Sequence, residues 1–273
     1  MRIPVTLRVV FLALLVAVAG CSRFGKKGDP SETLPVDQLY QEAKTAMVDG
    51  NLTRATHLYE RLIARFPFGP YTEQSQLELA YVQYKDHKEE DAYSAVNRFI
   101  KTYPTHKHID YAYYLRGLIN FNRSGGLLER YIDRDQSKRD QGFSQQSFDD
   151  FGELVRRYPA SPYSADARQR MIYLRNNMAQ AELNIALYYL RREAYVAASN
   201  RAEHLVETYQ QTPQIGDALA IMAESYKRLG QDKLADDARR VLQTNFPEHP
   251  YLAGKWPPKR HFWKRIVPFV NRG

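Results

Sequence analysis

Residues 80–104 read AYVQYKDHKEEDAYSAVNRFIKTYP. Ala92, Ala95, Val96, Phe99, Ile100 and Tyr103 recur at the i, i+3, i+4, i+7 spacing that lines one face of a helix. Tyr103-Pro104 closes that helix, because proline cannot continue it and disfavours the helical region for the residue before. Ala80, Ala92 and Pro104 stand 12 residues apart. The pattern describes a helical hairpin. Small residues let its two helices approach, and the proline stops the second.

The same spacing runs along the chain. Ala43, Ala55 and Pro67 keep it, as do Ala223, Ala235 and Pro247. Ala186 and Ala198 keep it too, with Gln210 where the proline would stand. Pro67 to Ala80, Pro104 to Gly117 and Gln210 to Ala223 are each 13 residues. Phe66-Pro67, Tyr158-Pro159 and Phe246-Pro247 repeat the aromatic-proline stop, and Ala55, Leu58, Tyr59, Leu62, Ile63 and Phe66 form a second helical stripe. One hairpin cannot bury its apolar face alone, so neighbours must stack. The set resembles tetratricopeptide repeats over residues 36–250, in five units; Gln210, and Ser147 in the third unit, depart from the pattern. No comparable alternating stretch argues for a sheet. The fold class expected is all-α, a right-handed α-solenoid of about five tetratricopeptide-like helical hairpins.

Two insertions break the regularity. Gly117 to Ser147 is 30 residues rather than 12 and holds Ser124-Gly125-Gly126 and the charged run Asp133 to Asp140. Pro159 to Ala186 is 27 rather than 13, across the unbroken pattern Met171, Leu174, Met178, Ala181, Ile185, Tyr188. That pattern reads as one long helix over 163–190. It predicts an N-terminal module, 36–162, of three repeats with an inserted loop at about 123–143, and a C-terminal module, 163–250, of that helix and two repeats. A basic aromatic tail, 251–273, follows.

Ahead of the repeats, Arg2 and Arg8 precede an apolar run from Val9 to Ala19 that closes on Val18-Ala19-Gly20-Cys21. Residues 1–20 thus read as a secretory signal, too short for the roughly 20 apolar residues of a membrane span. Cys21 is the chain's one cysteine, and its place resembles the bacterial lipobox. The lipoprotein reading makes Cys21 the lipidated first residue of the mature chain, with 21–35 as linker. An ordinary signal with a chance cysteine is the alternative. Ser22 stands where Asp would retain a lipoprotein in the inner membrane, so the expected site is the outer membrane.

The formal net charge of +8 is not spread evenly. Of the 39 basic residues, two lie in the signal and six in residues 255–273, which leaves 31 against 31 acidic residues in the body. Steering by bulk charge, as in nucleic-acid binding, is therefore not expected. Catalytic motifs are missing: there is no Gly-x-Ser-x-Gly, P-loop or nucleotide fingerprint. His106 and His108 have no nearby third ligand and read as a solvated loop. Asp133 and Asp135 open like a calcium loop, but Lys138 and Ser144 stand where it needs Gly and Glu. The expectation is a protein with no enzymatic activity, no cofactor and no metal.

Surfaces remain. In tetratricopeptide hairpins the first helix of each pair lines a concave groove. On this spacing the first three units present Tyr40, Lys44, Met47, Gln74, Tyr81, Tyr84, Lys85, Tyr111, Tyr114 and Phe121. Such a lining suits an extended peptide with an aromatic, anionic terminus. Packing between helices is the competing reading for each tyrosine. The tail mixes cations with both tryptophans, Trp256 and Trp263, which suits either an anionic interface or a disordered end.

Together the lipobox, five hairpins and insertions resemble the BamD (ComL) family of outer-membrane lipoproteins. The most specific stretch is Tyr158-Pro159-Ala160-Ser161-Pro162-Tyr163 with Asp166-Ala167, Arg170-Met171, Glu182, Tyr188-Tyr189, Ala194 to Ala198 and Asn200-Arg201. The resemblance implies a non-enzymatic scaffold of the β-barrel assembly (BAM) machine. Its C-terminal repeats, with Tyr195, Asn200 and Arg201, would dock on the POTRA region of BamA beside other BAM lipoproteins. Its N-terminal repeats would receive the C-terminal signals of unfolded outer-membrane proteins, and the lipid would hold it on the periplasmic face. Arg201 falls on the apolar stripe Ala194, Ala197, Ala198, Ala202, Leu205 and wants a carboxylate, from a docked subunit or from within. The rival reading is a periplasmic adaptor of the same architecture for cell-wall enzymes or pilus and secretin assembly. A lytic transglycosylase would need a catalytic domain for which no residues are left over.

Overall fold

The computed structural model describes residues 30–123 and 141–256. The signal with Cys21, the body of the charged insertion and the tail from Pro257 lie outside the described residues. Among the described residues there are ten α-helices and no strand. They pair in chain order as α1 (Val36–Val48) with α2 (Leu52–Arg65), α3 (Pro70–Lys85) with α4 (Glu89–Thr102) and α5 (Ile109–Arg123) with α6 (Gly142–Arg157). Then follow α7 (Ser164–Arg191) with α8 (Tyr195–Thr208) and α9 (Ile215–Arg228) with α10 (Asp232–Asn245). These are the five tetratricopeptide-like hairpins expected, and the fold is all-α. No described helix is long and apolar enough to cross a membrane.

Each hairpin is built at its small residues. Ala43, Ala55, Ala80, Ala92, Ala186 and Ala198 have no exposed surface, and Ala223 and Ala235 are buried. In the third hairpin the pair is Gly117 and Ser147. A Cβ on Gly117 would stand 2.5 Å from the Phe151 ring, so only glycine fits. Ser147 replaces alanine without leaving a buried hydroxyl unpaired, because its Oγ donates to the Gly117 carbonyl at 2.9 Å. Seven residues after the small residue the chain turns through the left-handed region. Gly50 and Gly230 do this in two hairpins, and His87 and Glu193 do it in two others.

The second helix of every hairpin ends on an aromatic residue whose ψ has left the helical range: Phe66, Tyr103, Tyr158, Tyr209 and Phe246, at 49° to 77°. Proline after four of them disfavours the helical region there and stops the helix. After Tyr209 stands Gln210, yet α8 stops at the same place. Thr212 Oγ1 donates to the Tyr209 carbonyl at 2.8 Å, and Gln211 takes a left-handed φ of 62°. Thr72 and Ser164 hydroxyls likewise take up the Phe66 and Tyr158 carbonyls, which have no helical donor.

The chain forms two compact units with their border between Ser75 and Gln76, inside α3. In the first, Leu39, Leu58, Tyr59 and Leu62 are buried. The second holds successive apolar cores. One gathers Leu77, Val96, Phe99, Phe121, Phe151, Leu174 and Met178; the next gathers Leu183, Leu190, Leu205 and Ile221. The long helix α7, at 28 residues, falls where expected. It joins rather than parts its neighbours: its first half completes one core and its second half the next. Residues on both sides of 163 therefore share one interior. At the far end Tyr251, Leu252 and Trp256 pack on Leu219 and Leu242, so folded chain continues to Trp256.

Candidate functional site

The predicted lining residues fall in both units. In the first, Tyr40 is only 8% exposed and lies against Tyr59 and Tyr71, with ring centroids 6.4 and 5.3 Å away. It is a core residue rather than an open contact, which corrects the expectation. The reason is register: Tyr40 lies one turn before Ala43 and shares its buried face. Lys44 is exposed, with Nζ 5.9 Å from the Tyr40 ring, and Met47 is half-buried with its sulfur 3.9 Å from the Tyr59 hydroxyl. Gln74 is half-buried.

In the second unit the prediction concentrates. Tyr81 and Tyr84 on α3, Tyr111 and Tyr114 on α5, and Tyr163 just before α7 are half-buried over the first core. Tyr111 lies 5.3 Å from Tyr163, and Tyr114 stacks on Tyr163 at 5.0 Å and 18°. The Tyr114 hydroxyl donates to Asp166 Oδ2 at 2.6 Å. Arg170 Nε donates to the same oxygen, and the Arg170 guanidinium lies 5.0 Å over the Phe121 ring. Phe121 itself is 2% exposed, beneath Arg170 and beside Tyr173 at 5.8 Å. It supports the site from below and does not line it, a second correction; it lies one turn after Gly117 on the face that packs. Lys85 is exposed at the end of α3.

The electrostatics favour the neutral form of Tyr84, Tyr111 and Tyr114. Burial, aided by the neighbouring Tyr81 and Tyr163, raises the Tyr111 pKa far above its usual value. Burial and the bond to Asp166 push Tyr114 up to about 12. Burial raises Tyr84 as well, against a hydrogen bond with Asn122 and the nearby Arg170. Burial works against ionised Asp166 too, but hydrogen bonds from Arg170 and Tyr114 outweigh it and hold the carboxyl below its usual range. The cluster thus offers ring faces, neutral hydroxyl donors and one guanidinium already steadied by a carboxylate. It is suited to hold an aromatic group and a carboxylate, and it presents no nucleophile poised by a base.

Tyr163, Asp166 and Arg170 were absent from the predicted lining. They stand in the stretch that carries the family resemblance, but the only local hint of a shared site is a carboxylate and a cation at i, i+4 at the start of the long helix. Among the described residues no group of three or more His, Cys, Asp or Glu side chains is placed to hold a metal. His106 Nδ1 accepts the His108 backbone N–H at 3.2 Å, and its ring lies 5.1 Å from Phe99.

The predicted docking residues sit together on α8. Tyr195 opens the helix and packs on the second core; Asn200 and Arg201 are exposed. The buried edge of α8 runs through Ala198, Ala202 and Leu205, and Arg201 stands beside it, its side chain 46% exposed. Its carboxylate partner lies within the chain: Nη1 is 3.4 Å from Glu182 Oε2 on α7. Of the two sources expected for that carboxylate, a docked subunit or the chain itself, the structure shows the second. Ile185 and Tyr188 on α7 and Val196 on α8 are exposed large apolar residues of the same two helices.

A family model described as outer membrane lipoprotein, YfiO, matches residues 32–242. The outer membrane protein assembly factor BamD of Xylella fastidiosa (strain 9a5c) is 48% identical over 268 residues, 98% of this chain and 91% of its own length. BamD of Neisseria meningitidis serogroup A is 40% identical over 257 residues, 93% of this chain and 96% of its own. BamD of Vibrio cholerae serotype O1 is 36% identical over 234 residues, 86% of this chain and 96% of its own. Matched along most of its length and 36–48% identical to such relatives, the chain belongs to the YfiO family of outer membrane lipoproteins, the family of the BamD assembly factors.

Proposed function

We propose that the protein is an outer-membrane protein assembly factor that works by binding and not by catalysis. The observation that carries this is 48% identity, along 98% of the chain, with a protein that bears that name. In this reading Cys21 is acylated and holds the protein on the periplasmic face of the outer membrane. The cluster of Tyr81, Tyr84, Tyr111, Tyr114 and Tyr163 receives the aromatic C-terminus of an unfolded barrel protein, with Arg170 in the cluster and Lys85, the residue after Tyr84, as the cations for its carboxylate. The face of α7 and α8 that carries Tyr195, Asn200 and Arg201 docks the POTRA region of BamA, and other BAM lipoproteins join the assembly.

Co-purification from detergent-solubilised outer membranes tests the reading. The tagged protein should retain BamA. Because Arg201 and Glu182 form a half-exposed pair at a long 3.4 Å, worth about 1 kcal/mol or less, Arg201→Gln should lower the melting temperature only slightly while weakening BamA capture. Retention of cell-wall enzymes or secretin subunits in place of BamA would overturn the reading in favour of a periplasmic adaptor.

A further inference from the structure

One flank of α2, in the first unit, is basic. Arg54, His57, Arg61 and Arg65 follow the i, i+3, i+7, i+11 spacing, which gathers them in one strip beside the buried edge of Leu58 and Leu62. Arg54, His57 and Arg65 are exposed, and Arg61 is half-buried. The acids near the strip are Glu60 on the same helix, Glu32 next to Ser31, and Glu42 on α1, which pairs with Arg54 at 3.2 Å. Three residues after Arg65 stands Phe68. At 90% exposure it is the most exposed large apolar residue among the described residues. The turn that displays it is fixed. Pro67 and Pro70 flank it, Gly69 takes a left-handed φ of 111°, and the Gly69 carbonyl accepts the N–H groups of Thr72 and Glu73 at 3.0 and 3.1 Å. The chain that leads back to Cys21 leaves from the same strip. Ser31 Oγ accepts from Arg61 Nη1, and the Ser31 carbonyl accepts from Arg65 Nη1 at 3.0 Å. Cys21 lies ten residues before Ser31, a reach of at most about 35 Å at full extension.

We propose that the basic strip of α2, with Phe68, is a membrane-facing surface whose ligand is the anionic headgroup layer of a phospholipid bilayer. The proposal rests on the acylated Cys21 of the function proposed above. An acyl group at Cys21 lies in the bilayer, and the ten residues after it hold the strip within about 35 Å of that surface. A tether of this kind gives the strip a high effective concentration at the headgroups, so a few cations suffice. The arginines draw anionic lipid, and a ring on a stiff, exposed turn settles at the boundary between water and acyl chains. An acidic soluble protein could meet the same cations, but the tether does not deliver it to them. The acyl group anchors the protein; the strip sets how the first hairpin lies against the membrane.

A fluorescent label on the strip tests this on the full lipidated chain. Cys21 is the one cysteine, so the acylated parent should take up no thiol reagent, and Ala64→Cys, an exposed position between Arg61 and Arg65, should take up a single nitrobenzoxadiazole group. In vesicles of phosphatidylethanolamine and phosphatidylglycerol the label should brighten and shift to the blue. In phosphatidylcholine vesicles it should change little, although the acyl anchor enters both. Added salt should reverse the change. Arg54, Arg61 and Arg65 changed together to Gln should abolish it, since each cation near such a surface is worth roughly fivefold in partitioning. Phe68→Ser should weaken it. Glu60→Gln, which removes an acid beside the strip, should raise the salt needed to reverse it. Equal responses in neutral and anionic vesicles, no response in either, or a full response in the triple variant would overturn the proposal. So would the same shift produced in detergent, without vesicles, by the POTRA region of BamA, which would give the surface to a protein. Thiol uptake by the parent would overturn the anchor and the strip together, whereas an acylated parent with a silent label fails the strip alone. BamA capture by the triple variant should be normal, which separates failure here from failure of the assembly reading.

Discussion

At the scale of single residues, the close helix contact at Gly117 and the phenols above it make the sharpest demands. A methyl group on Gly117 would meet the Phe151 ring at 2.5 Å, and Phe151 has no exposed surface into which to retreat. Gly117→Ala should therefore destabilise the protein by about 1–3 kcal/mol, the usual cost of overpacking, although alanine is the better helix former. A urea or thermal melt checks it; a variant as stable as the parent would mean that α5 and α6 shift apart freely. The phenols make a prediction about pH. The folded pKa of Tyr114 is raised to about 12 from 10.0, so the fold favours the protonated form. The stability it contributes is full below the unfolded value and is lost as pH rises from 10 towards 12. In a tyrosinate absorbance titration a late fraction should appear, accompany unfolding, and shrink in Tyr111→Phe and Tyr114→Phe. Titration of all 20 tyrosines in one step near 10 with the fold intact would exclude a desolvated cluster.

At the scale of elements, the small-residue and proline spacing reported every hairpin, because both residue types act locally: one sets how near two helices come, the other where a helix stops. It also located α7. It missed which elements share an interior, because that depends on contacts such as Tyr114 with Asp166, 52 residues apart, that no local pattern records. The same gap explains Tyr40 and Phe121. Their types suggested a binding surface, while their positions one turn from Ala43 and Gly117 put them on the faces that pack. The role of α7 leads to a prediction about truncation. A chain ending at Tyr163 loses Ala167, Leu174 and Met178 from the core that holds Phe121 and Phe151. Removing even one such large side chain costs about 2–5 kcal/mol. That fragment should show no cooperative thermal transition for the second unit, whereas a chain ending at Arg192 should melt cooperatively. If the shorter fragment melts as sharply as the longer, the first core is complete without α7.

At the scale of the whole molecule, the tyrosine cluster and the α8 face belong to the same unit and are tied to the same helix. Asp166 and Arg170 stand in its first two turns, and Glu182, the partner of Arg201, stands two-thirds of the way along. Yet the two faces draw on different cores, so each ligand should protect a different part of the chain. A bound peptide at 100 times its Kd stabilises the state that binds it by about 2.7 kcal/mol, enough to slow amide exchange where opening would release it. With a peptide ending in Phe and a free carboxylate, exchange should slow in the second half of α3, in α5 and in the first turns of α7, and should stay unchanged in α10. With the POTRA region of BamA, it should slow in the last turns of α7 and in α8. Mass-resolved hydrogen exchange on the full chain distinguishes these patterns from one in which the peptide protects α1 and α2 alone. That last outcome would move peptide recognition to Lys44 and its surroundings and leave the tyrosine cluster a packing feature.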